Sequence, residues 1–286
     1  MRYESTALPD LVSVDGIYTV LKVDFSNPGV GIGESHDFPE LSFISKGEHH
    51  GIIDGKERRA VAGQLTVIAP DSFHKSARPS ESEALIISFA SLSPALNNLY
   101  NRLIDLTPSQ EKALREIVED GLMLFCRRAP GSEVSGMILR EGADLRKLYK
   151  MKKALELFLV DLCNSYGGGG VTQSDRRRGA DFNRAVRFLS ENINRSLTIS
   201  EIAEGASMSV SKLKLLFREK CGCGAMNYLI EMKIERAKEL ILEGKMNFSE
   251  ISESLGYSSL HYFSRLFKKV SGLSPTEFRG SLKNEV

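Results

Sequence analysis

Residues 258–272, "SSLHYFSRLFKKVSG", place Phe263, Leu266, Phe267 and Val270 on one side of a helical projection and His261, Ser264, Arg265 and Lys268 on the other. The second set is rich in hydrogen-bond donors. A guanidinium offers a planar fork that satisfies two acceptors at once, and an ammonium offers a mobile point charge. Such a face suits an anionic, acceptor-rich partner, or it is simply hydrated. A second group falls within the first 74 residues of the chain, where His36, Glu40, His49, His50 and His74 supply imidazoles and a carboxylate, the donors a divalent metal takes. Histidines scattered over surface loops give the same count, and that is the expectation here. Of the four cysteines, Cys126, Cys163, Cys221 and Cys223, only the last two are close, and no further ligands stand near them. No phosphate-binding glycine loop, nucleophile elbow or zinc-finger spacing occurs, so neither a cofactor nor a catalytic residue is expected.

The 286 residues leave room for two domains, each with its own core. No apolar run reaches the roughly 18 residues of a membrane span. The opening "MRYESTALPDLVSVDG" lacks the basic flank and apolar stretch of a signal peptide. With few cysteines, a cytoplasmic protein is expected. The net charge is +1, unevenly spread: residues 175–286 hold a basic surplus of about five, the remainder an acidic excess of about four.

The first ninety residues read as strands and turns. "GIYTVLKVDF", "ELSFISKG", "GQLTVIAPDSFHKS" and "EALIISFA" are β-rich, and Asp54-Gly55 sits between two short runs as a hairpin turn. A small barrel or sandwich is expected over residues 1–166, flanked by two helices. The first helix has Thr107 as cap and Pro108 at its first position. The second, within 144–166, carries Leu148, Met151, Leu155, Phe158, Leu159 and Leu162 on one side, a stripe that could face the barrel or a second copy of the chain. "GGGGVTQSDRRRG", residues 167–179, has the composition of a flexible linker, with Arg176–Arg178 free to meet phosphate or water. From 180 to 286 the pattern is helical throughout, beginning at an expected cap on Asp181.

This last part contains an echo of itself. "SLTISEIAEGASMSVSKLKLLFREKCG" (196–222) matches "MNFSEISESLGYSSLHYFSRLFKKVSG" (246–272): Ser200-Glu201-Ile202 precedes Ser249-Glu250-Ile251 by 49 residues, and Leu216-Phe217 precedes Leu266-Phe267 by 50. One residue has therefore been added near the second turn. Each copy reads as a short helix, a turn and a longer helix, with Ser209 capping the first long helix and Ser258 or Ser259 the second, and Gly256 supplying the second turn's backbone angle. That is a helix-turn-helix, whose second helix fits a DNA major groove. "AMNYLIEMKIERAKELILEGK" (225–245) joins the copies as one long helix.

"IERAKELIL", "EISESLGYSS", "YFSRLFKK" and "GLSPTEFR" resemble, in order and spacing, the DNA-binding domain of AraC/XylS transcription regulators. "GQLTVIAPDSFH" is similar to the cupin-like sensor domain many members carry. The resemblance implies an α+β multidomain protein with an N-terminal cupin-like β-barrel and an all-α tandem helix-turn-helix domain. It further implies promoter DNA and RNA polymerase as partners, a homodimer, and an activator controlled by a small-molecule effector. With helical spacing, it selects Ser211, Lys212, Lys214, Leu215 and Arg218 on the first reading helix. On the second it selects Leu260, His261, Ser264, Arg265 and Lys268. Arg265 is the best base reader; Lys214, Arg218 and Lys268 suit phosphate; Leu215 and Leu260 suit a thymine methyl. In the barrel it points to His36, Glu40, Phe43 and His74 as lining of an effector pocket without metal. Two other readings stay open: a metal-dependent cupin enzyme with a fused helical domain, and a regulator governed by a protein partner.

Overall fold

A computed structural model of the chain describes residues 10–26, 33–77, 81–128, 136–166 and 173–281, the side chains of 173–176 aside. Residues 1–9, 27–32, 78–80, 129–135 and 282–286 lie outside them, as does the first half of the expected linker, 167–172.

The N-terminal half is built from strands β1 (Gly16–Asp24), β2 (Glu40–Lys46), β3 (Glu48–Ile53), β4 (Lys56–Val61), β5 (Gln64–Ile68), β6 (His74–Ser76), β7 (Glu83–Ala90) and β8 (Leu103–Asp105). After helix α1 (Pro108–Leu124) come the short strands β9 (Phe125–Arg127) and β10 (Met137–Leu139), then helix α2 (Leu145–Ser165). The strands form separate antiparallel sheets: five strands in the order β1-β7-β2-β5-β8, three in the order β4-β3-β6, and the pair β10-β9. The architecture is thus sheet-rich, and among the described residues the strand pairing does not close into a ring.

Alternation along the large sheet explains its placement. Leu41 and Phe43, Leu65 and Val67, and Leu85, Ile87 and Phe89 share one face and are buried, together with Val20, beneath α1 and α2. The stripe on α2 is therefore spent inside the chain: Met151, Leu155, Phe158, Leu159 and Leu162 belong to the same core. Thr107 and Pro108 start α1 as expected, through a capping box with Gln110. The hairpin turn holds both Asp54 (φ 49°) and Gly55 (φ 75°) in the left-handed region, the twist a two-residue hairpin needs.

The C-terminal half is helical: α3 (Gln173–Glu191), α4 (Ile199–Gly205), α5 (Val210–Cys221), α6 (Ala225–Glu243), α7 (Phe248–Ser254), α8 (Leu260–Ser271) and α9 (Pro275–Ser281). Two sequence expectations need correction here. Residues 173–179, read as linker, form the first two turns of α3. Asp181, read as its cap, lies in mid-helix, buried, where its carboxylate takes Arg184 and Lys212. Burial pushes that carboxyl upward, but the two cations outweigh it and hold it below the ordinary range.

The internal echo is visible in the backbone. Capping boxes Thr198–Glu201 and Asn247–Glu250 open α4 and α7 at an offset of 49, and Ser209 and Ser259 cap α5 and α8 at an offset of 50. The added residue thus lies in the second turn. Left-handed residues occupy matching turn positions, Ser207 (φ 54°) and Gly256 (φ 68°). The main-chain and Arg195 hydrogen bonds of Glu201 lower its pKa from 4.5 to about 2. A carboxylate depressed on folding stabilises fully above its unfolded value and loses that contribution as the pH falls toward the folded one. Thermal melts between about pH 6 and pH 2 should therefore fall less steeply for Glu201→Gln than for the parent chain, and parallel curves would refute this.

Each unit has its own core. Phe182, Leu189, Ile202, Leu213, Phe217 and Tyr228 fill the first; Ile234, Ile241, Ile251, Phe263, Leu266 and Phe267 fill the second, with Phe278 of α9 against Phe267. Helix α6 contributes to both. Its buried Lys233 donates to the carbonyls of Arg195 (2.9 Å) and Leu255 (2.6 Å), tying the connection between α3 and α4 in the first unit to the turn of the second.

One residue crosses between the halves. Phe73, fully buried, belongs to the first helical core and packs on Phe182 and Tyr228. Its segment, residues 69–74, is held by Asp54, which accepts from the Phe73 amide (2.9 Å), the Ser72 hydroxyl (3.0 Å) and the Lys220 ammonium (2.6 Å). Asn183 donates to Asp71 at 2.6 Å. The hairpin tip leaves no room for a side chain: a Cβ on Gly55 would lie 2.1 Å from the Glu219 carbonyl oxygen. The sheet-rich half thus grips the C-terminal turn of α5.

Candidate nucleic-acid interface

The buried sides of α5 and α8 fix which residues face outward. On α5, Leu213, Leu216 and Phe217 point into the core, leaving Ser211, Lys214, Leu215 and Arg218 exposed. Lys212 is also outside, but its ammonium is paired with Asp181. On α8, Leu260, His261, Arg265 and Lys268 are exposed, and Ser264 is half-buried. Both helices end in left-handed glycines, Gly222 and Gly272, preceded by Arg218 and Lys220 in one and Lys268 and Lys269 in the other. These cations complement the negative ends of the helix dipoles.

The face of α8 holds a residue that sequence reasoning passed over. Tyr262 is 40% exposed, and the Arg265 guanidinium lies over its ring, 5.3 Å from the centroid. This cation–π contact, worth about 0.5–1 kcal/mol at an exposed site, limits the rotamers Arg265 must search before it meets a partner. The spacing of three residues was the available signal. Lys268 is drawn toward Glu277 of α9 at 3.7 Å, an exposed pair that salt weakens.

The residues expected to line an effector pocket divide. Phe43 does not belong with the others. It is fully buried beneath α1, with Arg115 over its ring at 5.5 Å. It lies three positions after Glu40, an odd offset, so on one strand the two must face opposite sides. His36, Glu40 and His74 do converge, on the sheet's other face. They are not loose loop histidines: both His36 and His74 side chains are only 12% exposed. His49 packs on Phe25, and His50 pairs with Glu48, so neither joins this group.

Two units of helix, turn and outward-facing helix, sharing one long connecting helix, define a tandem helix-turn-helix domain. Residues 181–281 match the family model described as "Helix-turn-helix domain". This segment is a helix-turn-helix domain of the AraC type. The chain is 30% identical over 103 residues to the arabinose operon regulatory protein of Escherichia coli, covering 36% of this chain and 35% of that one. It is 29% identical over 99 residues to the lactose operon transcription activator of Staphylococcus xylosus, covering 35% and 36%. The chain thus spans about a third of the length of these relatives. Among solved structures, the C-terminal domain of AraT from Geobacillus stearothermophilus is 30% identical, covering 35% of this chain and 84% of that one, with a TM-score of 0.34. Apo ToxT from Vibrio cholerae aligns over 94% of this chain and 96% of that one, at 13% identity and a TM-score of 0.46. No helix among the described residues is long and apolar enough to cross a membrane.

Proposed function

We propose that this chain is a sequence-specific DNA-binding transcription regulator and not an enzyme. The observation that carries the reading is the repeat itself: two capped helices, 50 residues apart in sequence, each with its apolar side buried and a donor-rich side in water. In this reading the exposed faces of α5 and α8 enter successive major grooves of promoter DNA. Arg265 forms two hydrogen bonds to a guanine, His261 and Ser264 meet base edges or phosphate, and Leu215 and Leu260 touch thymine methyls. Lys214, Arg218 and Lys268 neutralise phosphate, and Lys212 contributes once it leaves Asp181. The relatives that regulate operons support this role, and the lactose operon transcription activator favours activation; contact with RNA polymerase is the route the family resemblance implies. The sheet-rich half, whose pattern resembles a cupin-like sensor, would receive a small-molecule effector in a homodimeric, cytoplasmic protein. Its grip on α5 gives an effector a direct route to the DNA-binding face, provided it binds one arrangement of the two halves better than the other.

Genome-wide mapping of bound DNA tests the proposal and supplies an operator for titration. Arg265→Ala should weaken that operator by about 1–3 kcal/mol and relax the preference at one base position. Lys214→Ala should weaken all sequences alike and reduce the salt dependence. Failure to enrich any sequence, with the folded full chain, would refute the reading.

A further inference from the structure

His36, Glu40 and His74 have no part in the proposed reading of DNA, yet they converge as a buried polar group in the N-terminal half. Their ligand atoms all lie within 4.8 Å of one another. Each imidazole Nε2 stands 3.6 Å from an oxygen of Glu40, too long for a hydrogen bond. It is close to the separation of two donors on one ion: bonds of about 2.0–2.2 Å at a tetrahedral angle place their atoms about 3.4 Å apart.

The protons agree with this. The Nδ1 of His36 lies 2.7 Å from the Phe38 carbonyl oxygen, and that of His74 lies 3.2 Å from the Ser72 carbonyl oxygen. A carbonyl only accepts, so each Nδ1 carries a hydrogen, and the tautomer able to bind an ion is the one with its lone pair on Nε2. Both Nε2 atoms are buried without a hydrogen-bond partner. An imidazole anchored through its other nitrogen to a main-chain carbonyl is the outer-shell arrangement that fixes metal-binding histidines. Glu40 is 6% exposed and accepts from the Ser88 hydroxyl at 2.8 Å, which in turn lies 2.7 Å from that of Thr19. Among the described residues no lysine or arginine pairs with it. Glu34, 3.6 Å from the His74 Nε2 and on the solvent side, is within reach as a further donor.

We infer that His36, Glu40 and His74 bind a first-row divalent transition-metal ion, which braces the Phe73 segment on which the helical domain is seated. Two imidazoles with carboxylate oxygen suit zinc, manganese, iron, cobalt or nickel and disfavour calcium or magnesium. The connection to the seat is covalent. His74 follows Phe73, and its Nδ1 is held by Ser72, which shares Asp54 with Lys220 of α5. An ion that draws His74 toward Glu40 fixes the backbone that delivers Phe73 into the helical core.

The test uses the full chain, stripped with a chelator and dialysed against micromolar Zn²⁺, and in parallel Mn²⁺ and Co²⁺. Elemental analysis should find one ion per chain. His36→Ala and Glu40→Gln should each weaken binding at least tenfold, with circular-dichroism melts confirming the fold. Because Glu40→Gln is isosteric, it carries the result if the histidine variant does not fold. Amide exchange over residues 69–77 and 216–221 should slow when Zn²⁺ is added to the parent chain and stay unchanged in Glu40→Gln. No retained ion, or equal binding by the variants, overturns the site. Binding without slowed exchange overturns the brace. None of these readouts involves DNA, so they stand or fall apart from the regulator reading.

Discussion

Phe73→Ala is expected to cost about 3–5 kcal/mol and to make the two halves of the chain unfold in separate steps. The magnitude follows from full burial among Phe182, Phe217 and Tyr228, where an alanine leaves a cavity the rigid aromatic neighbours cannot fill. The separation follows from where Phe73 belongs. It comes from the sheet-rich half but fills the core of the first helix-turn-helix unit. Among the described residues, the side-chain ties that also cross the boundary include Lys220 with Asp54 and Asn183 with Asp71. A buried ion pair contributes little net stability once desolvation is counted, so these ties hold register more than they hold the halves together. Differential scanning calorimetry on the parent should show coupled unfolding, and on Phe73→Ala two resolved transitions with the helical one lowered. Phe89→Ala, at an equally buried phenylalanine of the sheet's own core, is the control and should lower only the N-terminal transition. A Phe73→Ala scan resembling that of Phe89→Ala would remove the claim that this side chain joins the halves.

Gly256→Ala is expected to unseat α8 and abolish tight DNA binding while leaving the first unit folded. Two effects act together. Gly256 sits at φ 68°, a conformation that costs a residue with a Cβ about 1–2 kcal/mol. A Cβ there would also lie 2.6 Å from the Arg195 Cα and from the Asn194 carbonyl oxygen. Both are backbone atoms and cannot rotate aside. The connection between the units must therefore open, and with it the hydrogen bonds from Lys233 to Arg195 and Leu255. Gly272→Ala separates the two effects. That glycine has φ 80°, but nothing lies within 4 Å of the added carbon, so only the conformational cost remains, about 1–2 kcal/mol. Urea unfolding of both variants, followed by operator titration, measures the difference. Equal losses would mean that the close approach to Arg195 does not matter.

The helical third was largely legible because its signals are local. Caps and turn residues act over three or four positions, and an echo at 49 and 50 residues exposes two copies of one unit whatever they pack against. The hairpin at Asp54-Gly55 and the start of α1 at Thr107 were readable for the same reason. The start of α3 was misread because Asp181 has the chemistry of a cap, and the sequence does not show that Lys212, thirty-one residues on, comes back to neutralise it. Phe43 was assigned to the wrong face although parity along β2 separates it from Glu40.

By itself, then, the sequence determined the helix-turn-helix units, their joining helix and the polar faces of α5 and α8. These are consequences of short-range hydrogen bonding and of a period that sorts apolar from polar residues. Only the tertiary structure decided that Phe73 completes a core in the other half, that Asp54 and Lys220 meet, and that His36, Glu40 and His74 point at one another. Each of those depends on strands and helices far apart in sequence coming to rest against each other. That outcome is set by the summed burial of many side chains, and no spacing pattern encodes it.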